Sequence, residues 1–110
     1  MKLTKEYLIK QLGPFRYIQN MQNNNGTTVV NQFEIYFEYG KLFQSYNSII
    51  AIKFHCDVKN NKLENKVILG KNYDYSTTTG KYRNIFLREK LKETRDKIDN
   101  GTYIYAEHLV

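Results

Sequence analysis

Alternating apolar and polar side chains mark the first strands of this 110-residue chain. Over residues 33–39 every second residue is aromatic or aliphatic, and two of the three residues between them are glutamates. Because successive side chains of a strand point to opposite faces, this pattern predicts a strand with one face on a core and one in water. Gly40-Lys41 predicts a type II′ turn, and a return strand follows over 42–45.

The next apolar runs predict two more strands. Asn47-Ser48 predicts a second turn, and the β-branched run over 49–54 suits a central strand buried on both faces. A third turn is predicted at 59–62, before a short strand over 67–69 that Gly70 ends. Short turns between neighbouring strands predict an antiparallel meander of about four strands.

The N-terminal region is predicted to be a helix and a loop. Apolar residues at helical spacing predict a short helix over 4–12, which Thr4 caps and Gly13-Pro14 ends. Residues 19–28 are rich in asparagine and poor in apolar side chains, so little there offsets the entropy cost of ordering the backbone. We therefore predict a mobile loop over 19–28.

The last third of the chain is predicted to be helical. At about 100° per residue its apolar positions fall in two separate stripes, so one straight helix cannot bury both. We expect a first helix over about 80–86, a break, and a second helix over about 88–99 that Asn100-Gly101 ends. The alternation over 102–105 predicts an edge strand that returns to the sheet.

Together these elements predict an α+β fold. We expect an antiparallel sheet of four or five strands, a short N-terminal helix, and a C-terminal helical segment packed on one face. The length fits a single domain over 1–110 with one modest core. In this domain, 1–28 form the helix and mobile loop, and 29–110 form the sheet and C-terminal helices.

Charge and cysteine content restrict the class of protein. The chain has 17 Lys and Arg against 11 Asp and Glu, a formal net charge of +6, which favours anionic partners. The single cysteine, Cys56, cannot form an internal disulfide, so we expect a reducing cytoplasm. No run approaches the roughly 20 apolar residues of a membrane-spanning helix, so no membrane partner is expected.

The sequence offers little for catalysis. His55 and Cys56 are adjacent, so on a strand their side chains point to opposite faces and form no dyad. No spacing typical of a zinc site is present. We expect no catalytic residue, metal or cofactor, and therefore no enzyme. A pocket that gathers Asp74, Tyr75 and Lys81 would instead favour an enzyme.

Tyrosine and hydroxyl residues alternate over 72–82, and this segment has two interpretations. In the structural one, Ser76 or Thr78 caps the following helix and the tyrosines are core or rim residues. In the functional one, helix-start N–H groups, threonine hydroxyls and Lys81 hold a phosphate while a tyrosine ring stacks on a base.

Basic residues border the buried stripe of the second predicted helix. Three of them lie on one flank, while Glu89, Glu93 and Asp96 are predicted to point away. Either the long stems of the basic residues cover the edge of the core, or their charges form a row that contacts phosphates or an acidic protein surface. The candidate binding residues are Tyr73, Tyr75, Lys81, Tyr82, Arg83, Arg88, Lys92 and Arg95.

One run of the sequence carries a resemblance. It reads Tyr73-Asp74-Tyr75-Ser76-Thr77-Thr78-Thr79-Gly80-Lys81-Tyr82 and is followed by Ile85-Phe86-Leu87 and Glu93-Thr94-Arg95. With the upstream run over 43–51, it resembles a small domain of unknown function from phages and other mobile elements. The resemblance covers roughly 30 to 105, and its core motif is Tyr or Trp, then Asp-Tyr-Ser-x-Thr-Thr-x-Lys-Tyr. It implies a phage or plasmid setting and assigns no activity.

Size, charge and this resemblance favour a non-enzymatic protein that binds and blocks a host macromolecule in the host cytoplasm. The partner would be a host protein or ribonucleoprotein, such as a CRISPR effector, whose target entry is blocked by steric exclusion. The alternative is a basic accessory protein that binds RNA or DNA during phage replication or expression. The oligomeric state is left open.

Overall fold

A computed structural model describes residues 3–55 and 62–110. The described part contains one six-stranded sheet in the order β1 to β6, antiparallel except for the parallel β5–β6 pair. Three helices accompany it. The elements in chain order are α1 (Lys5–Gln11), β1 (Phe15–Gln22), β2 (Thr28–Phe37), β3 (Gly40–Ser45), β4 (Ser48–Phe54), β5 (Val67–Gly70), α2 (Thr77–Leu87), α3 (Leu91–Asp99) and β6 (Ile104–Ala106).

The α+β prediction is confirmed, with six strands where four or five were expected. The prediction of a mobile loop over 19–28 is wrong for its first part, because β1 continues to Gln22. The asparagines instead build a hairpin turn. Asn23 Oδ1 accepts hydrogen bonds from the backbone N–H groups of Asn25 (2.9 Å) and Thr27 (3.1 Å). Gly26 has φ +78°, which a glycine adopts without strain.

Two predicted turns are shifted by one or two residues. The chain reverses at Glu38-Tyr39, not at Gly40-Lys41, and Gly40 lies in β3. A Cβ atom at Gly40 would lie 2.5 Å from the carbonyl oxygen of Lys53, so the glycine permits close approach of β4. The next turn is at 46–47, where Tyr46 has φ +55°. The predicted turn at 59–62 lies mostly outside the described residues.

Each face of the sheet carries its own core. On one face, α1 packs Leu8 and Leu12 against Leu42 and Ile52. On the other, α2 packs on a second cluster that includes Phe43 and Phe86. A register irregularity between β3 and β4 places Ile50 and Ala51 together in the second cluster. The predicted burial of the central strand on both faces is therefore confirmed.

The break between the C-terminal helices lies at the predicted place, after Leu87. Arg88 takes the left-handed conformation (φ +58°) and ends α2, and α3 begins at Leu91. The first helix begins at Thr77, earlier than predicted. There Ser76 is the N-cap, and its hydroxyl accepts a hydrogen bond from the backbone N–H of Thr79 at 3.1 Å. The predicted returning strand is β6.

The predicted outward orientation of Glu89 is wrong. Its carboxylate is almost fully buried, and it accepts hydrogen bonds from Thr94 Oγ1 (2.6 Å), Lys97 Nζ (2.6 Å) and Tyr103 Oη (2.8 Å). Burial on its own raises the pKa of Glu89, but the three hydrogen bonds outweigh it and hold the pKa below its usual value. This carboxylate fixes the start of α3 and the segment that follows the helix.

We predict that Glu89→Ala lowers the free energy of unfolding by about 2 to 3 kcal/mol at neutral pH, because three donors lose a charged acceptor. A carboxylate whose pKa is lowered by folding stabilises the fold above its ordinary pKa. That contribution is lost as pH falls through the lowered value. The loss in free energy of unfolding caused by Glu89→Ala should therefore be smaller at acidic pH.

Urea denaturation at neutral and acidic pH measures both effects. Glu93→Ala, a change at an exposed carboxylate of the following helix α3, is the control and should stay within about 0.5 kcal/mol of wild type. Equal costs for the two substitutions would contradict the role of Glu89.

Candidate functional site

A buried arginine organises the tyrosine- and threonine-rich segment. Arg83 is 1% exposed, and its Nη1 donates to the carbonyl oxygen of Tyr73 (2.8 Å) and to Asp74 Oδ1 (3.3 Å). Its Nη2 donates to Asn84 Oδ1 at 2.8 Å. The other Asp74 oxygen accepts from Arg95 Nη2 at 2.8 Å. Asp74 therefore bridges two arginines and ties this segment to both α2 and α3.

Two of the predicted binding residues lie in the interior. Tyr82 packs in the second core beside Phe86, and Arg83 is buried beneath the preceding segment. Neither side chain can stack on a base or reach a phosphate from this position. The prediction is thus corrected for both residues: Tyr82 lies on the face of α2 that packs on the sheet, and the guanidinium of Arg83 is held by Tyr73 and Asp74 of the preceding segment.

The other predicted cations lie at the surface, and two of them are paired with a carboxylate. Lys81 and Arg88 are exposed, and Lys92 is exposed while it contacts Asp96 at 3.4 Å. Arg95 is about half exposed, and its charge is paired with Asp74. Three members of the predicted cationic row, Lys81, Arg88 and Lys92, are therefore exposed and not held by Asp74.

The residues that would favour an enzyme are not gathered in one pocket. Asp74 and Lys81 line an open cleft of about 780 Å³ between α2, the start of α3 and the β1–β2 hairpin. Tyr75 lines a different cavity. Both oxygens of Asp74 accept hydrogen bonds from arginines, so this carboxylate is held as an ion-pair partner rather than as a base.

In 3–55 and 62–110 there is no group of three or more His, Cys, Asp or Glu side chains that could hold a metal ion. Among the helices of that part, none is long and apolar enough to cross a membrane.

The most exposed aromatic residue of the predicted set is Tyr75. Its side chain is 78% exposed, and together with Tyr46, which is 55% exposed, it lines a cavity of about 160 Å³. Tyr73 lies two residues earlier and is half-buried against Tyr105. We call Tyr46, Tyr75 and the cavity that both line the tyrosine tip. The cavity is lined by Ser45, Tyr46, Ser48, Ile50, Asn72, Tyr75, Ser76 and Thr79.

Hydrogen bonds between polar side chains hold the walls of the tip. The hydroxyls of Ser45 and Thr79 share a hydrogen bond at 3.2 Å, and Ser76 Oγ donates to Thr79 Oγ1 at 3.2 Å. Asn72 Nδ2 donates to Ser48 Oγ at 3.3 Å. These bonds join the β3–β4 turn to the start of α2, so the backbone segments that carry Tyr46 and Tyr75 are held in place.

The composition of the tip is that of a binding surface without charge. Tyrosine contributes a large, rigid contact area at low entropy cost, and serine and asparagine provide adaptable hydrogen bonds, as in antibody paratopes. Sequence analysis missed Tyr46. The signal was present in Ser45-Tyr46-Asn47-Ser48, which has the same residue types as the later segment.

We predict that Arg83→Ala lowers the free energy of unfolding by about 3 kcal/mol, because it leaves a void and removes hydrogen bonds to a buried carbonyl and a carboxylate. Arg95→Ala is the matched control, since it removes the other, exposed partner of Asp74 and should cost about 1 kcal/mol or less. Urea denaturation compares the two. An Arg83 variant as stable as the Arg95 variant would show that Arg83 does not organise the segment.

Comparison with known proteins identifies the family. Residues 16–101 match the model of a family of unknown function, DUF8033. The match includes β1, and so begins earlier than the resemblance inferred from the sequence. No curated protein and no solved structure matches the chain. Because the match covers most of the 110 residues, the protein belongs to the DUF8033 family, whose function is unknown.

Proposed function

We propose that this protein is a non-enzymatic inhibitor that binds a host macromolecule through the tyrosine tip and blocks its working surface. The observation that carries the proposal is that Tyr75 and Tyr46 are both exposed and line the same cavity. Exposed aromatic rings on a rigid support are typical of residues that dominate binding energy at protein interfaces.

Contact through the tip is energetically more favourable than contact through the other predicted binding residues. Covering a tyrosine ring removes a large apolar area from water, at roughly 25 cal/mol per Å². Little additional entropy is lost, because Tyr75 follows Asp74 and precedes Ser76, which are both hydrogen-bonded. The cavity of about 160 Å³ can receive one side chain of the partner.

The partner class that we propose is a ribonucleoprotein of a host defence system that targets nucleic acid, such as a CRISPR effector. The formal net charge of +6 attracts acidic surfaces and RNA at long range, while the uncharged tip forms the close contact. A phage or mobile-element setting, in the host cytoplasm, belongs to the same proposal. Target entry would be blocked by steric exclusion.

The competing proposal is an accessory protein that binds RNA or DNA directly. It depends on Lys81, Arg88 and Lys92, the predicted cations that remain exposed and without a fixed interior role. Burial of Arg83 and the Arg95–Asp74 ion pair weaken it, because both remove charge from the predicted row. We therefore place it second.

We predict that the protein inhibits target cleavage by an effector of its hosts and that Tyr75→Ala weakens inhibition at least tenfold, as expected for an interface anchor. Tyr17→Ala is the matched control, since Tyr17 is about half exposed on β1, outside the tip. Cleavage assays with a panel of purified effectors measure the inhibition constants. Unchanged cleavage with every effector would overturn the proposed partner class.

We also predict a shallow dependence of partner binding on salt. A contact led by uncharged tyrosines should weaken only modestly between low and physiological salt, whereas neutralisation of phosphates gives a steep loss. Affinity capture with and without nuclease, followed by binding measurements across ionic strength, separates the two. Nuclease-sensitive capture with a steep salt dependence would show that the contact is made by Lys81, Arg88 and Lys92 and not by the tip.

A further inference from the structure

The two edges of the sheet differ in length and in protection. The edge strand β6 has three residues, whereas the edge strand β1 has eight. Among the described strands β1 pairs only with β2, so its outer N–H and C=O groups have no strand partner. Such a row of backbone groups is a template for another strand, and natural proteins guard long edges against unwanted pairing.

Apart from register irregularities near its two ends, β1 carries few of these guards. It contains one charged residue, Arg16, whose guanidinium lies 3.6 Å from the carboxylate of Glu38 in the β2–β3 turn. Three large apolar side chains on this strand are exposed: Phe15 (59%), Tyr17 (51%) and Ile18 (51%). An exposed edge of this composition is typical of a surface that another strand covers.

Register irregularities limit where a second strand can pair. They lie between 15 and 17 and between 20 and 22, and leave a regular run over 17–20. Ile18 lies opposite Ile35 of β2, and Phe15 lies opposite Phe37. Ile35 and Phe37 belong to the face that α1 covers in part, so the open apolar patch is on that face, beside the edge.

We propose that β1 pairs with β1 of a second copy of this chain, antiparallel across a twofold axis, so that one sheet continues through both copies. A twofold axis perpendicular to the sheet keeps each face on the same side, so residues of the same face oppose each other. We place the axis at Ile18. The two Ile18 side chains then meet, and Tyr17 of each copy lies opposite Gln19 of the other.

A second copy fits this edge because the run is self-complementary. With the axis at Ile18, Arg16 of each copy lies near Asn20 of the other, so no like charges face each other across the new pair. The two Ile18 side chains become neighbours on one face of the continuous sheet, whereas Tyr17 lies on the other face, opposite Gln19 of the second copy. The net charge of +6 on each copy opposes association at long range, so added salt should favour the dimer.

Sedimentation velocity on the intact protein, over a range of concentrations and at two salt concentrations, tests the pairing. We expect a wild-type mass twice that of one chain, and a monomer for Ile18→Lys, which buries two lysines at the axis. Val30→Lys is the control: Val30 is also exposed and aliphatic, but it lies on β2 outside the regular run, so this variant should remain a dimer.

Hydrogen exchange gives a second readout that does not depend on variants. Amides of 17–20 that point away from β2 should be protected in wild type at high concentration and lose protection on dilution. A monomer at every concentration, a species larger than two copies, or equal dissociation by both lysine substitutions would overturn the proposal. None of these outcomes bears on the tyrosine tip, whose inhibition assay is independent of Ile18.

Discussion

The buried guanidinium of Arg83 is the constraint on which the exposed tyrosine surface depends. It binds the carbonyl oxygen of Tyr73 and the carboxylate of Asp74, while Arg95 holds the same carboxylate from the side of α3. Ser76, two residues later, caps α2. Tyr75 stands between these anchors, so its ring projects into solvent from a backbone that is held on both sides.

In this arrangement, neighbouring residues of similar type have different structural roles. Arg83 and Tyr82 support the fold from inside, and Arg95 neutralises Asp74. Lys81 and Tyr75 face solvent. The hydroxyls of the segment from 72 to 83 therefore cap and brace the start of α2, as in the structural interpretation of its composition, and Tyr75 is presented outward.

Much of the fold follows from periodicity, and the errors have physical causes. A period of two identified β2, a β-branched apolar run identified β4, and two unaligned apolar stripes located the break before α3. The strand β1 was missed because six of its first seven residues from Phe15 on are exposed. It is ordered by pairing with β2, and its sequence therefore lacks the apolar pattern of a buried strand. Glu89 and Arg83 were misplaced because charge predicts solvent, whereas hydrogen bonds from other segments hold both groups in the interior. Tyr46 was missed because only the fold brings its turn to the start of α2.

The most direct test of the tyrosine tip is hydroxyl-radical footprinting of the protein, free and in complex with the partner that it inhibits. The account predicts that Tyr75 and Tyr46 lose reactivity in the complex by a larger factor than any other exposed tyrosine. Unchanged reactivity of both rings, with protection centred on the segments that carry Lys81, Arg88 and Lys92, would contradict it.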